Sequence, residues 1–357
     1  MKQRTQPGKI LIIKLRAIGD VVLSTAVLPN LKAAFPDASI DFLVEPPADQ
    51  ILAGNPNIRR VVRYPYKAWA RVSPFHSIIR GIRFIAGLRR EKYSMVIDLF
   101  GNPRSAFLAW ATGARQRVGF AFRGRRFYYT LRVPPRGDQV HEVEFNLDAL
   151  RALNIPVIHR NPQLPVDADS QKRMSAWLDR ETGRGKLRVA LHVWGSWASK
   201  RWPLNRFAEL ADQLVRNHHA DVILLWGPGE EIYAKTVRDM ATQPLHLAPK
   251  TSLKELAELL RQCDIVVAND SGPMHMAAAV GTLTVGIYGP TSWQLQGPFG
   301  SHHRTAFNRG LTCLGCNRLD CSHMSCMQNL TVKAVMDVVE QAAAEAGISR
   351  RSVVYRM

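Results

Sequence analysis

The segment that decides the fold is Lys9–Asp20, which reads KILIIKLRAIGD. Its first seven residues form a short apolar run typical of a buried strand, so we predict a strand over Lys9–Leu15. Gly19 and Asp20 then mark a tight turn into a helical stretch near Asp20–Phe35. A strand that leads at once into a helix is the first half of a β-α-β unit, which predicts a parallel sheet.

The same alternation continues along the 357 residues. Further strands are predicted at Ser39–Glu45, Tyr93–Leu99, Leu187–Val193, Asp221–Trp226, Cys263–Val267 and Thr284–Tyr288. Helices are predicted at His76–Arg90, Asn205–Arg216, Glu230–Met240, Ser252–Arg261, Pro273–Val280 and Val332–Ala346, with a capping box at Ser252–Glu255. The pattern breaks over Asn154–Asp169, where three prolines interrupt it. We therefore predict two doubly wound α/β domains, residues 1–165 and 166–357.

Composition narrows the class of protein. Hydrophobic residues make up 46% and charged residues 22% of the chain, which excludes wholesale disorder and a disulfide-stapled miniprotein. No apolar run reaches the ~18 residues of a membrane-spanning helix, so a cytoplasmic protein is expected. The net charge is +19, and residues 1–160 hold 26 Lys and Arg against 11 Asp and Glu. This half is expected to face an anionic partner, although a solubilising surface charge gives the same composition.

Polar loops follow the predicted strands, where ligands bind in open parallel sheets. After the first strand comes Arg16-Ala-Ile-Gly19-Asp20, in which Asp20 could act as a helix cap or as a base. The remaining loops, with hydroxyl, cationic and acidic side chains and a phosphate-compatible helix start, are His192–Pro203, Trp226–Glu231, Asn269–His275 and Gly286–Thr291. The dinucleotide G-x-G-x-x-G pattern is absent from the first turn, and the P-loop pattern is absent throughout.

These segments together make the sequence resemble glycosyltransferase family 9, the ADP-heptose:lipopolysaccharide heptosyltransferases. The resemblance is carried by the opening 38 residues from Lys9 and by VIDLFGNPRSA, SKRWP, WGPGEE and NDSGPMHMAAAVGTLTVGIYGPTS. It implies the GT-B architecture, in which two Rossmann-like domains face a central cleft. The first domain would bind an anionic inner-core lipopolysaccharide acceptor and the second the ADP part of the donor.

The resemblance also implies roles for individual residues. Asp20 matches the catalytic base, and Lys200 matches the cation at the donor diphosphate. The predicted donor-binding residues are Ser199, Lys200, Glu230, Glu231, Asp270, Ser271, Gly272, His275 and Gly289; spacing does not choose between the two glutamates. The predicted acceptor-binding residues are Arg16, Gly19 and Arg123.

The predicted reaction is transfer of heptose from ADP-heptose to an inner-core hydroxyl with inversion. Asp20 would deprotonate the acceptor, while Lys200 and the helix that starts at Pro273 would stabilise the departing ADP. No catalytic cofactor is expected, and Asp167-Ala-Asp169 is interpreted as helix capping rather than a metal site. Two alternatives stay open: the same fold could use another nucleotide sugar or glycan acceptor, or the protein could bind nucleotides or polyanions without catalysis.

The five cysteines divide into two groups. Cys263 is predicted to be a core residue. The others form Cys313-x2-Cys316-x4-Cys321-x4-Cys326, which could hold a structural zinc ion, with His323 as a substitute ligand. Four free, partly buried thiols are the alternative to zinc.

The basic N-terminal half gathers many Arg and Lys residues between 59 and 92 and again between 115 and 126. No nucleic-acid-binding motif accompanies them, so no nucleic acid partner is predicted. We expect peripheral contact with the cytoplasmic face of the inner membrane, together with the anionic acceptor. His76–Leu88, HSIIRGIRFIAGL, is either an interfacial amphipathic helix or a core helix with a solvated basic face.

Overall fold

A computed structural model describes residues 7–348 except positions 70, 72 and 184. The chain divides into two compact units, one ending at Pro165 and the other beginning at Val166. Each unit is built around one six-stranded sheet in which the paired strands are parallel. The prediction of an α/β fold with two Rossmann-like sheets is thus confirmed.

The sheet of the first unit consists of β1 Lys9–Ile13, β2 Ser39–Val44, β3 Arg60–Arg63, β4 Met95–Asp98, β5 Gln116–Phe120 and β6 Leu131–Val133. Its strand order is β3-β2-β1-β4-β5-β6. The order reverses between β1 and β4, and such a reversal opens a crevice at the carboxyl ends of those two strands. The loop after β1, which contains Asp20, therefore lies where this fold binds ligands.

Seven α-helices and one 3-10 turn connect these strands within the described residues. They are α1 Ile18–Ser24, α2 Val27–Ala34, α3 Asp49–Leu52, α4 Tyr66–Trp69, α5 Pro74–Arg90, α6 Pro103–Ala111, a 3-10 turn at Arg126–Tyr128 and α7 Glu142–Ala152. The core beneath them is aliphatic and aromatic, and Leu11, Ile13 and Val96 are completely buried in it. Strands buried on both faces read as continuous apolar runs, which is why β1 was predictable.

The second unit repeats the plan. Its strands are β7 Arg188–His192, β8 Asp221–Leu225, β9 His246–Leu247, β10 Ile265–Asn269, β11 Leu283–Tyr288 and β12 Arg304–Phe307. The order β12-β11-β10-β7-β8-β9 places the reversal between β7 and β10. The helices are α8 Ala168–Glu181, a 3-10 turn at Ala198–Lys200, α9 Leu204–His218, α10 Glu231–Met240, α11 Leu253–Arg261, α12 Gly272–Ala279, α13 Trp293–Gln296, α14 Ser325–Gln328 and α15 Val332–Glu345.

One predicted helix is divided in two. The stretch Asp20–Phe35 was expected to be continuous, whereas α1 ends at Ser24 and α2 begins at Val27. Pro29 explains the break, because it lacks an N–H group and its ring would clash with the carbonyl four residues earlier, that of Thr25. Leu28 N–H instead donates to this carbonyl, at 3.0 Å.

Two capping predictions are confirmed. Ser252 and Glu255 form the capping box at the start of α11. Asp167 caps α8, since its carboxylate accepts a hydrogen bond from Ser170 N–H at 3.1 Å. Lys254 also contacts Asp167, at 2.8 Å, and lowers the pKa of this carboxyl to about 2 together with Ser170. The interpretation of Asp167 as a capping residue therefore agrees with its contacts.

Candidate active site

The second unit gathers four polar loops at one edge of its sheet. These loops follow β11, β10, β7 and β8, which are consecutive neighbours in the sheet. Because parallel strands end at the same edge, side chains that lie far apart in sequence meet there. The predicted donor residues Ser199, Lys200, Glu230, Asp270, Ser271 and Gly289 all come from these loops.

Lys200 is held in place on two sides. Its ammonium Nζ lies 2.6 Å from Oδ2 of Asp270 and 4.2 Å from the centre of the Trp197 ring. The hydroxyl of Thr291 donates to the same Asp270 oxygen at 2.7 Å. Asp270, which was predicted as a donor-binding residue, thus anchors the lysine and the loop after β11. Lys200 keeps a small exposed fraction, 12% of its side chain.

Asn269 joins the loop after β10 to the loop after β7. Its side chain is fully buried, accepts from Trp202 N–H at 3.1 Å and donates to the Val193 carbonyl at 3.0 Å. These two bonds fasten both ends of the segment that carries Lys200. A buried amide with both functions satisfied fixes a loop strongly, because losing either bond would leave a buried polar group unpaired.

Helix α12 begins directly at this edge. Its N-cap residue, Ser271, has an extended backbone, and its side chain makes no capping hydrogen bond to the helix. The N–H groups of a helix's first turn have no partners within the helix, and they favour an anion together with the helix dipole. Gly272 opens the helix and His275 is buried in its first turn. This arrangement is suited to a phosphate group.

The two predicted glutamates occupy different surroundings. Glu230 precedes α10, and its Oε2 accepts from Gly227 N–H at 2.8 Å and faces His192. Burial raises the pKa of Glu230, but the His192 and Gly227 hydrogen bonds outweigh burial and lower it overall. Glu231 instead pairs with Lys235 at 2.8 Å, with 43% of its side chain exposed. The structure therefore favours Glu230 as the donor contact.

His192 begins one of the polar loops that the sequence singled out, but no role was predicted for it. It ends β7, is 3% exposed, and lies between Glu230 and Ser271. The available signal was its position at the end of a predicted strand, but that position does not identify the residues that His192 contacts. Ser199 was predicted as a donor contact; its hydroxyl donates to the Arg318 carbonyl at 2.9 Å and so anchors the cysteine-rich segment.

The cysteine-rich segment packs on the donor loops. Gly315 N–H donates to the Gly289 carbonyl at 3.0 Å, and an added Cβ at Gly289 would lie 2.7 Å from Cys326 Sγ. All five cysteines are free, and the four clustered ones line one cavity of about 140 Å³ with His323. Cys263 is buried as predicted, and burial raises the pKa of its thiol to about 12.

The side chains that were predicted to bind zinc line one cavity, but they are not arranged as ligands of one metal ion. Thiolates and an imidazole are the ligands that zinc prefers. Within the part of the chain that the structure describes, however, no three His, Cys, Asp or Glu side chains are placed to hold a metal ion together. The thiols as arranged therefore do not fit a metal site with four ligands.

In the first unit, Asp20 lies in the first turn of α1 and is partly exposed. Its Oδ2 accepts a hydrogen bond from Ala17 N–H at 3.0 Å, so the carboxylate caps the helix start while its other oxygen remains for a ligand. Gly19 beside it is buried, whereas Arg16 and Arg123 are exposed. The geometry thus shows the capping role of Asp20, and catalysis by it stays a prediction.

Lys14 lies beneath this loop and was not predicted. Its ammonium is buried, contacts Oε1 of Glu142 at 2.7 Å and donates to the Leu99 carbonyl at 3.1 Å. Burial lowers the pKa of Lys14, but the Glu142 and Asp20 carboxylates outweigh burial and raise it. The raised pKa favours the protonated form of Lys14, and Asp20 is one of the carboxylates that raise it. The available signal was the position of Lys14 near the carboxyl end of the predicted strand Lys9–Leu15.

Helix α5 carries an unusual exposed surface. Phe75, Ile78 and Ile82 are 70%, 62% and 62% exposed and share one stripe at helical spacing. The opposite face is anchored by Phe84, which packs against Tyr64 and Trp69 with ring centres 5.1 and 5.5 Å apart. Among the described residues, no helix is long and apolar enough to cross a bilayer.

Comparison with known proteins identifies the class. The chain is 30% identical over 308 residues to lipooligosaccharide heptosyltransferase 2 of Haemophilus influenzae, covering 81% of this chain and 85% of that protein. A family 9 glycosyltransferase from Veillonella parvula has a similar structure, with a TM-score of 0.79, 20% identity, and coverage of 97% and 99%. The Escherichia coli heptosyltransferase WaaC, solved with ADP, gives a TM-score of 0.74 at 24% identity, with coverage of 94% and 100%.

These likenesses define a glycosyltransferase with two Rossmann-like sheets. The profile described as glycosyltransferase family 9 (heptosyltransferase) matches residues 82–326, more than half of the chain. The chain belongs to glycosyltransferase family 9, as its sequence motifs predicted.

Proposed function

We propose that this enzyme transfers heptose from ADP-heptose to a hydroxyl group of the lipopolysaccharide inner core, with inversion at the anomeric carbon. The observation that carries the proposal is the cluster of Lys200, Asp270, Ser271 and Glu230 at one edge of the second sheet. It offers a cation, the N-terminus of a helix and a carboxylate at one sheet edge, which are the groups that a nucleoside diphosphate sugar requires. The heptosyltransferase relatives support heptose as the sugar.

The proposed division of labour follows the two units. The second unit, from Val166, holds the donor: Lys200 and the start of α12 bind the diphosphate and stabilise the charge that develops as ADP leaves. Glu230 accepts hydrogen bonds from donor hydroxyl groups. The first unit holds the acceptor, and its exposed Arg16 and Arg123 attract the anionic core sugars.

Asp20 is the proposed general base. Its free carboxylate oxygen takes the proton from the acceptor hydroxyl as that oxygen attacks the anomeric carbon, while the bond from that carbon to the ADP oxygen breaks. General-base assistance contributes typically about 10²–10⁴-fold in rate.

One assay tests the reaction. Purified enzyme is incubated with ADP-heptose and lipopolysaccharide cores truncated at defined sugars, and ADP release and product mass are measured. We expect ADP release only with one truncated core and a mass gain of one heptose. Release of the corresponding nucleoside diphosphate from another nucleotide sugar, without ADP release from ADP-heptose, would establish the alternative donor. Binding of ADP without turnover of any acceptor would establish a non-catalytic binding protein.

We also propose that α5 lies on the cytoplasmic face of the inner membrane, where the lipid-linked acceptor is. The exposed apolar stripe of Phe75, Ile78 and Ile82 would enter the interface, and the exposed Arg80 and Arg83 would contact anionic headgroups. Each basic residue contributes about 1 kcal/mol of attraction to an anionic surface.

Vesicle sedimentation tests this surface. Wild-type enzyme is expected to bind phosphatidylglycerol vesicles and to bind phosphatidylcholine vesicles weakly. Replacing all three apolar stripe residues by serine should abolish the binding. The matched control replaces Ile158 and Ile232, which are 67% and 61% exposed elsewhere, by serine and should bind normally. Equal loss in both variants would refute a specific role for α5.

For the clustered cysteines we propose free thiols rather than zinc, because their arrangement does not bring three ligands together. Native enzyme purified without chelator is analysed for metals and titrated with a thiol reagent under denaturing conditions. Five reactive thiols and no stoichiometric metal are expected. One zinc per chain, with four thiols protected until the metal is removed, would establish the zinc site instead.

A further inference from the structure

His192 contacts two of the donor residues at once. Its Nδ1 lies 3.1 Å from Ser271 Oγ and its Nε2 lies 3.4 Å from Glu230 Oε2. The ring is buried at the end of β7, with 4% of its side chain exposed. Its partners stand immediately before α10 and α12, so one imidazole connects three elements of the sheet edge.

We propose that His192 is a positioning residue that couples the donor-hydroxyl contact at Glu230 to the phosphate contact at the start of α12. The inference rests on the proposed function, because it takes Glu230 and Ser271 as parts of a donor site. It adds a residue to that site and assigns it a role distinct from touching the donor.

Hydrogen-bond chemistry fixes how the bridge works. An ionised carboxylate can only accept hydrogen bonds, and a neutral imidazole donates from one nitrogen and accepts at the other. In the neutral tautomer that fits both contacts, Nε2 carries the hydrogen and donates to Glu230, while Nδ1 accepts from the Ser271 hydroxyl. This hydroxyl hydrogen is then committed to His192. The phosphate is left to the backbone N–H groups of α12 and to Lys200.

The surroundings of Glu230 explain why a bridge is needed. The residue follows Gly227-Pro228-Gly229, and Gly229 has a φ of +83°, so the loop backbone is one that only glycine adopts readily. Besides His192, the contact that holds the Glu230 carboxylate is the Gly227 N–H group of the same short loop. Without His192, the hydrogen bond that remains to the Glu230 carboxylate within the described part of the chain comes from its own loop.

Three substitutions separate the two halves of the bridge. In His192→Asn the amide lies near the position of Nδ1 and can keep the Ser271 contact, whereas in His192→Gln it lies near Nε2 and can keep the Glu230 contact. His192→Ala removes both. We expect the dissociation constant of ADP to rise mainly where the Ser271 contact is lost: about 10-fold in the Gln and Ala variants and less in the Asn variant.

The decisive readout is coupling between sites. Glu230→Gln is made in the wild-type, His192→Asn and His192→Ala backgrounds, and the Michaelis constant for ADP-heptose is measured at fixed acceptor. In wild type we expect Glu230→Gln to raise this Michaelis constant about 10-fold. In both His192 backgrounds we expect an increase of less than about 3-fold, because Glu230 has already lost its contact with His192 there. An equal factor in all three backgrounds would overturn the proposal.

A second histidine–glutamate pair supplies the control. His218 Nε2 lies 3.0 Å from Oε1 of Glu340 in the same unit. His218→Ala should leave both the ADP dissociation constant and the Michaelis constant unchanged. If His192→Ala does not fold, the His192→Asn and His192→Gln variants still test the proposal, provided that their melting temperatures match that of wild type. Wild-type enzyme that binds no ADP would refute the proposed function, whereas normal wild-type binding with additive effects would refute only the role of His192.

Discussion

The ammonium of Lys200 and the carboxylate of Asp270 lie 2.6 Å apart, although 70 positions separate them in the chain. They come together because β7 and β10 are neighbours at the point where the strand order reverses. An acidic residue in a loop expected to bind a diphosphate thereby has a structural role: Asp270 holds the ammonium of Lys200, and the Thr291 hydroxyl holds Asp270 in turn.

Lys200→Ala is expected to raise the dissociation constant of ADP about 10- to 100-fold, because it removes a charge-assisted hydrogen bond to the diphosphate. Titration calorimetry with ADP measures this change. The control is Lys235→Ala, which removes a lysine on α10 that pairs with Glu231 at 2.8 Å and should not alter ADP affinity. Equal affinity of wild type and the Lys200 variant would exclude this lysine from the donor site.

Asp20→Asn separates catalysis from capping. The amide oxygen can still accept from Ala17 N–H, so α1 should stay capped, but an amide cannot accept the acceptor's proton. We expect kcat to fall about 10²–10⁴-fold with unchanged ADP affinity and melting temperature. Asp37→Asn, at an exposed position of the same unit, is the control. Turnover of the Asp20→Asn enzyme at the wild-type rate would remove Asp20 from the mechanism.

Stability should fall below neutral pH because of His303. Its Nδ1 accepts from Thr284 N–H at 3.2 Å, and burial, with a smaller contribution from His302, lowers its pKa to about 3. In the unfolded chain this histidine has an ordinary pKa near 6.5. Between pH 6.5 and pH 3 the unfolded chain therefore binds a proton that the folded chain does not bind. The contribution of neutral His303 to the free energy of unfolding is therefore fully present above pH 6.5. It is lost at up to about 1.4 kcal/mol per pH unit as the pH falls toward 3.

Urea unfolding between pH 7 and pH 4 measures this dependence. His303→Asn keeps an acceptor for Thr284 N–H but does not titrate, so its free energy of unfolding should depend less on pH than that of wild type. His76→Asn, at an exposed position, should retain the wild-type dependence. Identical slopes for wild type and the His303 variant would show that other groups cause the acid sensitivity.

Gly289→Ala should loosen the packing of the cysteine-rich segment on the donor loops. The added methyl group would lie 2.7 Å from Cys326 Sγ and from Met327 Sδ, and such overpacking costs about 1–3 kcal/mol of unfolding free energy. We expect weaker ADP binding and faster modification of Cys326, with partial recovery in the double variant that also carries Cys326→Ala. Gly87→Ala in α5, where no atom lies within 4 Å, should be neutral or slightly stabilising.

Part of the molecule could be predicted because its signal is local. The buried strands β1 and β8 are uninterrupted apolar runs, and Ser252 with Glu255 spells out a capping box within four residues. The strands β3, β5, β6, β9 and β12 escaped prediction, since each is short and carries polar or charged residues. All of them except β5 lie at sheet edges. Edge strands bury little apolar surface, and their sequences therefore lack the apolar pattern from which a strand is predicted.

The sequence by itself determined the two α/β domains, the family and the loops at which a nucleotide sugar would bind, because these depend on patterns within a few residues. Only the tertiary structure decided which side chains meet there. It paired Lys200 with Asp270, gave Glu230 and Glu231 different partners and placed His192 between Glu230 and Ser271. The physical reason is that sheet order, and not chain order, sets which loops are neighbours, and hydrogen bonds across them form only after the strands have paired.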